Sequence, residues 1–354
     1  MVDHITPGPD YDAALWGATV GIRRERRFLA VTGRSPGDML NGLLSNSLPS
    51  PLLREEDSAA TGSVVYATLL GAKGRMITDL RLFRDPVEGF VLDLPGVGFE
   101  GAMAHFKKFL PPRLAVVIDR SQDLSLLTLL GPEAPALLAK VVARMGFTGS
   151  VDRMVELKEG EEFLLSSPES SRLRVTRNGE AHAEGWDLLL STGMAAEARD
   201  RLDAGGAVPL SEASLDILRV EKGRPAFGKD MDENTIPVEA GIQTRAIDHE
   251  KGCYTGQEVI IRIRDRGQVN KELRGFLLGG TPVQSRGQEL FQPGREKSVG
   301  WLTSSVASPA FGQTIALGYL RRGVEPGAEV RVGSMDGPGA RARALSEEGW
   351  VLDR

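Results

Sequence analysis

Apolar residues along this chain fall into short alternating or continuous runs followed by stretches with helical spacing, and the sequence of runs occurs twice. Laid over itself at an offset of 98 residues, FLAVTGRSPGDMLNGLL (28–44) falls on LLTLLGPEAPALLAKVV (126–142), so that Gly33 meets Gly131 and Leu40 meets Leu138. Each copy reads as an apolar strand, a glycine turn and an amphipathic helix. At an offset of 96, EGFVLDL (88–94) falls on EGWDLLL (184–190), again a strand leading into a helix-like segment. Between these anchors SVVYATLLGAKGRMITDLRLF (63–83) predicts two strands joined by a turn at GAKG, which completes a split β-α-β plan. SEASLDILRVEKGRP predicts a helix stopped by Gly223 and Pro225, and beyond it short apolar stretches punctuated by Gly and Pro predict a small β-domain or barrel. The expected class is α+β: two duplicated halves of ferredoxin-like type and a C-terminal β-barrel, divided as 1–125, 126–272 and 273–354.

Composition narrows the function classes. A chain of 354 residues, 41% hydrophobic and 26% charged, has ample material for a buried core. With a net charge of −5 there is no global basic field for nucleic acid or membrane surfaces, and no apolar run approaches the ~18 residues of a membrane span. The N-terminus lacks a continuous apolar leader, so a cytoplasmic protein is expected. One cysteine excludes an internal disulfide and an all-cysteine metal or cluster site, and the four histidines, His4, His105, His182 and His249, lack ligand spacing; no metal site is expected. GVGFEG (96–101) matches a dinucleotide fingerprint, but Pro111 and Pro112 cut its helix short and the second copy lacks the glycines. DMDENT (230–235) begins like a calcium loop, yet Thr235 stands where Gly is required and Gly241 where a bidentate Glu belongs.

A few residues stand out chemically. Cys253 lies in KGCYTGQE (251–258); Thr255 and Glu258 have the form of a capping box, so a helix from Thr255 to Gly267 would set its positive end, with Lys251, beside the thiol. The alternatives are a small buried hydrophobe, and a strand through VIIRIR. Asp187 occupies a position that is Val91 in the first copy, so a carboxylate replaces a core residue and needs a partner, either a polar ligand or an arginine such as Arg174 or Arg177. Asp79 falls by strand alternation on one face with Ile77, Arg81 and Phe83, where it would meet a ligand amine or pair with Arg81. Arg262, Arg264 and Arg266 form a basic stretch suited to carboxylates or phosphates, or a solvated face.

The runs VTGRSPGDMLNGLLSN, GAKGRMITDLRLF, RVEKGRPAFGKDMDENTIPVEAGI, KGCYTGQEVIIRIRDRG and SPAFGQTIALGYLRRG, in this order, resemble the YgfZ branch of the folate-binding GcvT superfamily, and K-G-C-Y-x-G-Q-E is the stretch that marks the branch. The resemblance implies two α+β halves and a barrel around a central hole that holds tetrahydrofolate or a one-carbon derivative. It implies a role in assembly or repair of iron-sulfur clusters in client enzymes, including those that modify tRNA, through contact with those clients or with assembly proteins and not with nucleic acid. Cys253 and Asp79 are then the candidate catalytic residues, and Asp187, Lys251, Tyr254 and Arg262 the candidate folate-binding ones. Asp79 matches the second acid of the aminomethyltransferase DDL motif, whose first acid is Thr78 here. Asp187 falls where that family has the last Glu of GYTGExGxE, whereas this chain reads GEAHAEGWD. The competing readings are an aminomethyltransferase proper, for which a one-carbon transfer would be the activity, and a scaffold without folate.

Overall fold

The computed structural model describes residues 8–54, 59–147, 151–167, 171–267, 269–278, 286–346 and 349–351. The N-terminal segment forms α1 (Pro9–Trp16) and β1 (Thr19–Ile22). The first copy runs through β2 (Arg26–Thr32), α2 (Pro36–Asn41), β3 (Leu53–Arg54), β4 (Ala59–Leu70), β5 (Met76–Asp85), β6 (Gly89–Pro95), α3 (Phe99–Phe109) and β7 (Val116–Asp119). The second runs through β8 (Leu124–Leu130), α4 (Ala134–Arg144), α5 (Val151–Val155), β9 (Glu161–Ser166), β10 (Arg172–Arg177), β11 (Gly185–Ser191), α6 (Thr192–Ala204) and β12 (Val208–Pro209). Strands β2 and β8 keep the offset of 98 and β6 and β11 that of 96, so the duplication read from apolar spacing is a duplication of elements.

These strands make one 12-stranded sheet in the order β12-β1-β8-β11-β10-β9-β4-β5-β6-β2-β7, with β3 beside β4. The copies therefore have the same internal order and join edge to edge through the antiparallel pair β4 and β9. In the second copy β1 takes the place beside β8 that β7 takes beside β2 in the first, so residues that precede the first copy in sequence complete the second in space. Each half has its own apolar core under its helices, and a third cluster, Phe28, Phe83, Val91, Leu126 and Leu189, joins their facing sheet surfaces. The only parallel pair among the described strands of this sheet is β1 with β12, and β2 pairs antiparallel with both β6 and β7, so GVGFEG opens α3 without a doubly wound sheet around it.

The connecting region carries α7 (Glu212–Lys222), capped by the Ser211 hydroxyl and stopped by Gly223 at φ 74°, then α8 (Gln243–Ala246) and α9 (Gln257–Arg266). The capping box expected at Thr255 does not form: Gly256, left-handed at φ 84°, is the residue before the first helical turn, and α9 begins at Gln257. The chain then closes a six-strand barrel in the order β13 (Lys271–Leu277), β16 (Gln313–Arg321), β15 (Gly300–Ser308), β14 (Glu289–Phe291), β17 (Glu329–Val332), β18 (Gly339–Arg343), followed by the hairpin of β19 (Leu345–Ser346) and β20 (Gly349–Trp350). Buried Glu221 of α7 fixes three parts at once, accepting from the Tyr11 hydroxyl of α1 at 2.9 Å and the Ser308 hydroxyl of the barrel at 2.5 Å. No helix among the described residues is long and apolar enough to cross a membrane.

Candidate functional site

Beside the apolar cluster that joins them, the facing sheet surfaces of the two halves carry polar residues, and these converge on β5. Arg81 of β5 donates through Nε and Nη2 to Asp93 Oδ2 at 2.8 and 2.6 Å, and through Nη1 to Asp187 Oδ2 of the opposite half at 2.6 Å. Asp187, buried on β11, also accepts from Thr128 Oγ1 at 2.7 Å and Asn178 Nδ2 at 3.0 Å. It does pair with an arginine, but with Arg81 across the interface. Arg174 goes instead to Glu162 and Asp85, and Arg177 to Glu184. The reason is sheet order: β5 and β11 face one another only after the halves join through β4 and β9.

Asp79 is the exception to this pairing. It does not meet Arg81, whose guanidinium is taken by Asp93 and Asp187. Its Oδ2 accepts from the Tyr66 hydroxyl of β4 at 2.8 Å, and its Oδ1, also buried, has no partner. Burial pushes its carboxyl above the ordinary aspartate range, against the opposing pull of the Arg26 charge and the Tyr66 hydrogen bond. Its neighbours also differ from strict alternation. A bulge in the β4–β5 pairing gives β5 one extra residue, Ile77, which turns into the core with Leu80 and Leu82 while Asp79 stays on the face with Arg81.

Asp79, Arg81 and Asp187 line a hollow of about 240 Å³, and Tyr66, Arg81 and Glu180 are shared between it and an adjoining hollow of about 410 Å³. The pair is in the size range of small-molecule sites, ~300–1,000 Å³. Acid Asp79 lies in the narrower part, and Arg224, Arg245 and Arg177 line the wider. The wall between is rigid by construction. Arg245 stacks over the Tyr66 ring at 4.8 Å and pairs with Glu180 at 2.7 Å and Glu159 at 2.8 Å, while Asn46 Nδ2 donates to the carbonyls of both Tyr66 and Arg245. Burial would raise the Glu180 carboxyl, but the Arg245 guanidinium outweighs it and brings the group down to about 2.

The KGCYTGQE residues lie elsewhere. Lys251 spends its three N–H bonds on the carbonyls of Asn41, Leu44 and Asn46 at 2.9, 2.7 and 2.8 Å, closing the C-terminal end of α2. Tyr254 is buried beside Leu70, Met76 and Ile260, its hydroxyl without a partner and pushed up to about 12 by burial. Cys253 is exposed on the loop so anchored, and Arg262 faces a groove between α9 and the barrel. Of the six residues singled out in the sequence, the structure brings Asp79 and Asp187 together at the central cavity and leaves Cys253, Lys251, Tyr254 and Arg262 outside its lining. Sequence reasoning missed Tyr66: the extra residue Ile77 shifts the register so that Tyr66 pairs with Arg81 and lies diagonal to Asp79, and counting outward from the GAKG turn does not give that pairing. It also missed Glu180 and Arg245, for which no local pattern exists.

No group of three or more His, Cys, Asp or Glu able to hold a metal occurs among the described residues; His4 lies outside them. Asp230 of DMDENT is consumed by Arg219 at 2.7 Å and by the hydroxyls of Thr303 and Ser304 at 2.5 and 2.7 Å.

Comparison with known proteins adds a family. Residues 28–251 match the model of the GCVT N-terminal domain and residues 271–347 that of the glycine cleavage T-protein C-terminal barrel domain. An aminomethyltransferase from Rubrobacter xylanophilus is 30% identical over 79% of this chain and 72% of its own length, and one from Thermosynechococcus vestitus is 28% identical over 80% and 72%. Among solved structures, the glycine cleavage system aminomethyltransferase T from Bartonella henselae superposes with a TM-score of 0.79 over 97% of this chain and 90% of its own, at 21% identity, a likeness of fold.

Proposed function

The chain belongs to the glycine cleavage T-protein (GcvT) family, and on that premise we propose that it binds tetrahydrofolate in the cavity between its halves and acts there on a one-carbon unit, as an aminomethyltransferase does. The observation that carries this reading is the unpartnered, buried Oδ1 of Asp79, on a side chain that lines a cavity whose other buried charges are paired. An orphaned buried acceptor costs stability, of the order of 1–3 kcal/mol, and a bound N–H donor would satisfy it. A reduced folate would supply the secondary amine that accepts the one-carbon unit. Asp79 Oδ1 is the atom that takes and returns the proton, while the Tyr66 hydroxyl on Oδ2 fixes the carboxyl plane. The burial that raises this carboxyl also excludes water and moves it toward the strength a general base needs. Arg245 and Arg224 in the wider hollow suit the carboxylates of a folate tail. Asp187 has both oxygens engaged within the chain, so it serves by holding Arg81 at the waist; a direct contact with the pterin would require Arg81, Thr128 or Asn178 to yield.

Calorimetric titration with tetrahydrofolate and an assay of methylenetetrahydrofolate formation from an aminomethyl-lipoyl donor test this. The expected result is saturable binding in the native chain, with Asp79→Asn keeping affinity within about tenfold but losing 10²-fold or more in kcat. Absence of folate heat would overturn the reading.

A second reading rests on Cys253. It is exposed on a loop pinned by the three Lys251 hydrogen bonds, within the stretch that resembles the YgfZ branch, and this favours a folate-binding helper of iron-sulfur client enzymes. Here folate binds, no methylenetetrahydrofolate forms, and Cys253→Ser keeps folate affinity while failing to restore client activity in a strain lacking the gene. Full rescue by Cys253→Ser would remove the thiol role.

A further inference from the structure

The buried charges beside Asp79 are not all explained by the join between the halves. Arg26, at the start of β2, donates through Nε to Asp93 Oδ1 at 2.6 Å and through Nη2 to the Asp93 carbonyl at 3.1 Å. Asp93 needs no second cation, since Arg81 already binds its Oδ2 through two nitrogens. Packing does not require the pair either. The offsets of 98 and 96 that relate the two copies carry Arg26 onto Leu124 and Asp93 onto Leu189, and both leucines pack in the apolar cluster between the halves. Strand pairing agrees with these offsets, Phe28 with Asp93 in the first copy and Leu126 with Leu189 in the second. The same place in the fold thus accepts two leucines or a buried ion pair, and the ion pair is the choice that carries a desolvation penalty.

Sheet register shows where the Arg26 charge acts. Arg26 of β2 pairs with Pro95 of β6, and the Arg81–Asp93 register, carried two residues on, sets Asp79 of β5 on the other side of Pro95. Opposed residues share a face, so Arg26, Pro95 and Asp79 form one row, and all three line the narrower hollow. Among the described residues Arg26 forms no ion pair with Asp79 itself, so it acts there through its field. Arg26 and Arg81 together balance Asp93 and Asp187; without Arg26 this group carries a net negative charge, to which an ionised Asp79 adds another. Other charged groups around the hollow are committed elsewhere, Glu180 to Arg245, Arg23 to Glu25, Lys229 to Asp216, and Arg219 to Asp216 and Asp230. Glu212, at the start of α7, is a further, exposed acid, and the Tyr66 hydroxyl is a neutral donor to Asp79. Burial pushes the Asp79 carboxyl up, and the Arg26 charge pulls against it more than the Tyr66 hydrogen bond does, while the Glu180 charge adds to the rise. We propose that Arg26 is a positioning residue for Asp79, the cation that lets this carboxyl give up its proton inside the cavity. The role presupposes Asp79 as the group that takes the proton in the one-carbon reaction.

The test reads the Asp79 titration directly, by NMR of the full chain with carbon-13 in its aspartate carboxyls, assigned with Asp79→Asn, beside the pH profile of kcat/KM. In Arg26→Gln the Asp79 signal is expected to titrate at higher pH than in the native chain. The acid limb of kcat/KM is expected to move up with it, so that the loss is greatest at low pH and closes as pH rises. Arg26→Lys, which keeps the charge, is expected to bring both back toward native. Asp93 keeps Arg81 in every variant, so none leaves that carboxylate alone, and Arg26→Met is the second neutral variant should Arg26→Gln fail to fold. An unmoved Asp79 titration in a folded neutral variant overturns the role. So does a loss of kcat/KM equal at every pH, or a shift in Arg26→Lys as large as that in the neutral variants. A moved titration in a chain that forms no methylenetetrahydrofolate would instead remove the aminomethyl transfer and leave the action of Arg26 on Asp79 in place.

Discussion

Asp79 is a residue that spends stability on availability. Its neighbours Asp93 and Asp187 are buried too, but each is met by a guanidinium, whereas Asp79 keeps one oxygen bare. Because its folded pKa is raised, the folded chain holds that proton more tightly than the unfolded one, so this group's contribution to stability falls as pH rises through the folded value. Asp79→Asn, which retains an acceptor for Tyr66 and removes the charge, is therefore expected to stabilise the chain by about 1–2 kcal/mol at neutral pH. The gain should vanish below the ordinary aspartate range, where both forms are neutral; urea melts at two pH values would read this, and a destabilised variant at pH 7 would show that the carboxylate is satisfied after all. The acid itself was legible from sequence, as a carboxylate in an apolar strand. Its freedom was not, because Arg81, two residues away on the same face, is the partner that local reasoning favours.

At the scale of elements, the KGCYTGQE loop is held by geometry that side-chain chemistry does not reveal. Gly256 sits at φ +84°, and a Cβ there would lie 2.6 Å from the Gly71 carbonyl oxygen; Gly74, at φ +70°, is as tightly opposed by Val259. The β4–β5 turn and the start of α9 thus interlock through two glycines, both in conformations that L-residues adopt only at a cost. Gly256→Ala is expected to destabilise by at least about 2 kcal/mol in denaturant melts, while Cys253→Ser, three residues earlier and exposed, leaves stability unchanged. A Gly256→Ala variant as stable as the native chain would show that the loop moves away from the turn. The capping-box pattern of Thr255 and Glu258 misled here because a chain passing this close to Gly71 can start its helix only after a left-handed residue.

Across the whole molecule, three arginines tie the halves in opposite directions, Arg81 of the first to Asp187 of the second and Arg172 and Arg174 of the second to Asp85 of the first. Burial would raise the Asp85 carboxyl, but the Arg174 charge, the hydrogen bond from Arg172 and the N–H groups of Glu88 and Val87 bring it down to about 2. Its contribution is present above the ordinary aspartate value and is lost as pH falls from about 4 toward 2, in the same window as that of Glu180. Acid unfolding is accordingly expected to begin between the halves, with tryptophan and circular dichroism transitions that separate below pH 4; coincident transitions would show that the halves lose structure together. Removing Arg81 leaves Asp187 without a charge partner, so Arg81→Ala should cost about 3–5 kcal/mol, and much of that should be recovered by adding Asp187→Asn. Additive losses would show that the two residues do not act as a pair.

The amino-acid sequence determined what depends on short-range periodicity: the strand and helix runs, their duplication at offsets of 98 and 96, and a Gly- and Pro-punctuated barrel after them. It also identified the chemically odd residues, because a carboxylate at an apolar position is visible without coordinates. The tertiary structure alone decided which charges meet. Arg81 and Asp187 lie 106 positions apart, and β1 completes a half that begins a hundred residues later. Alternation along a strand specifies a face, whereas the partner on that face depends on sheet order and on how two sheets close over each other. For the same reason the cavity, a property of both halves at once, has no signature in either.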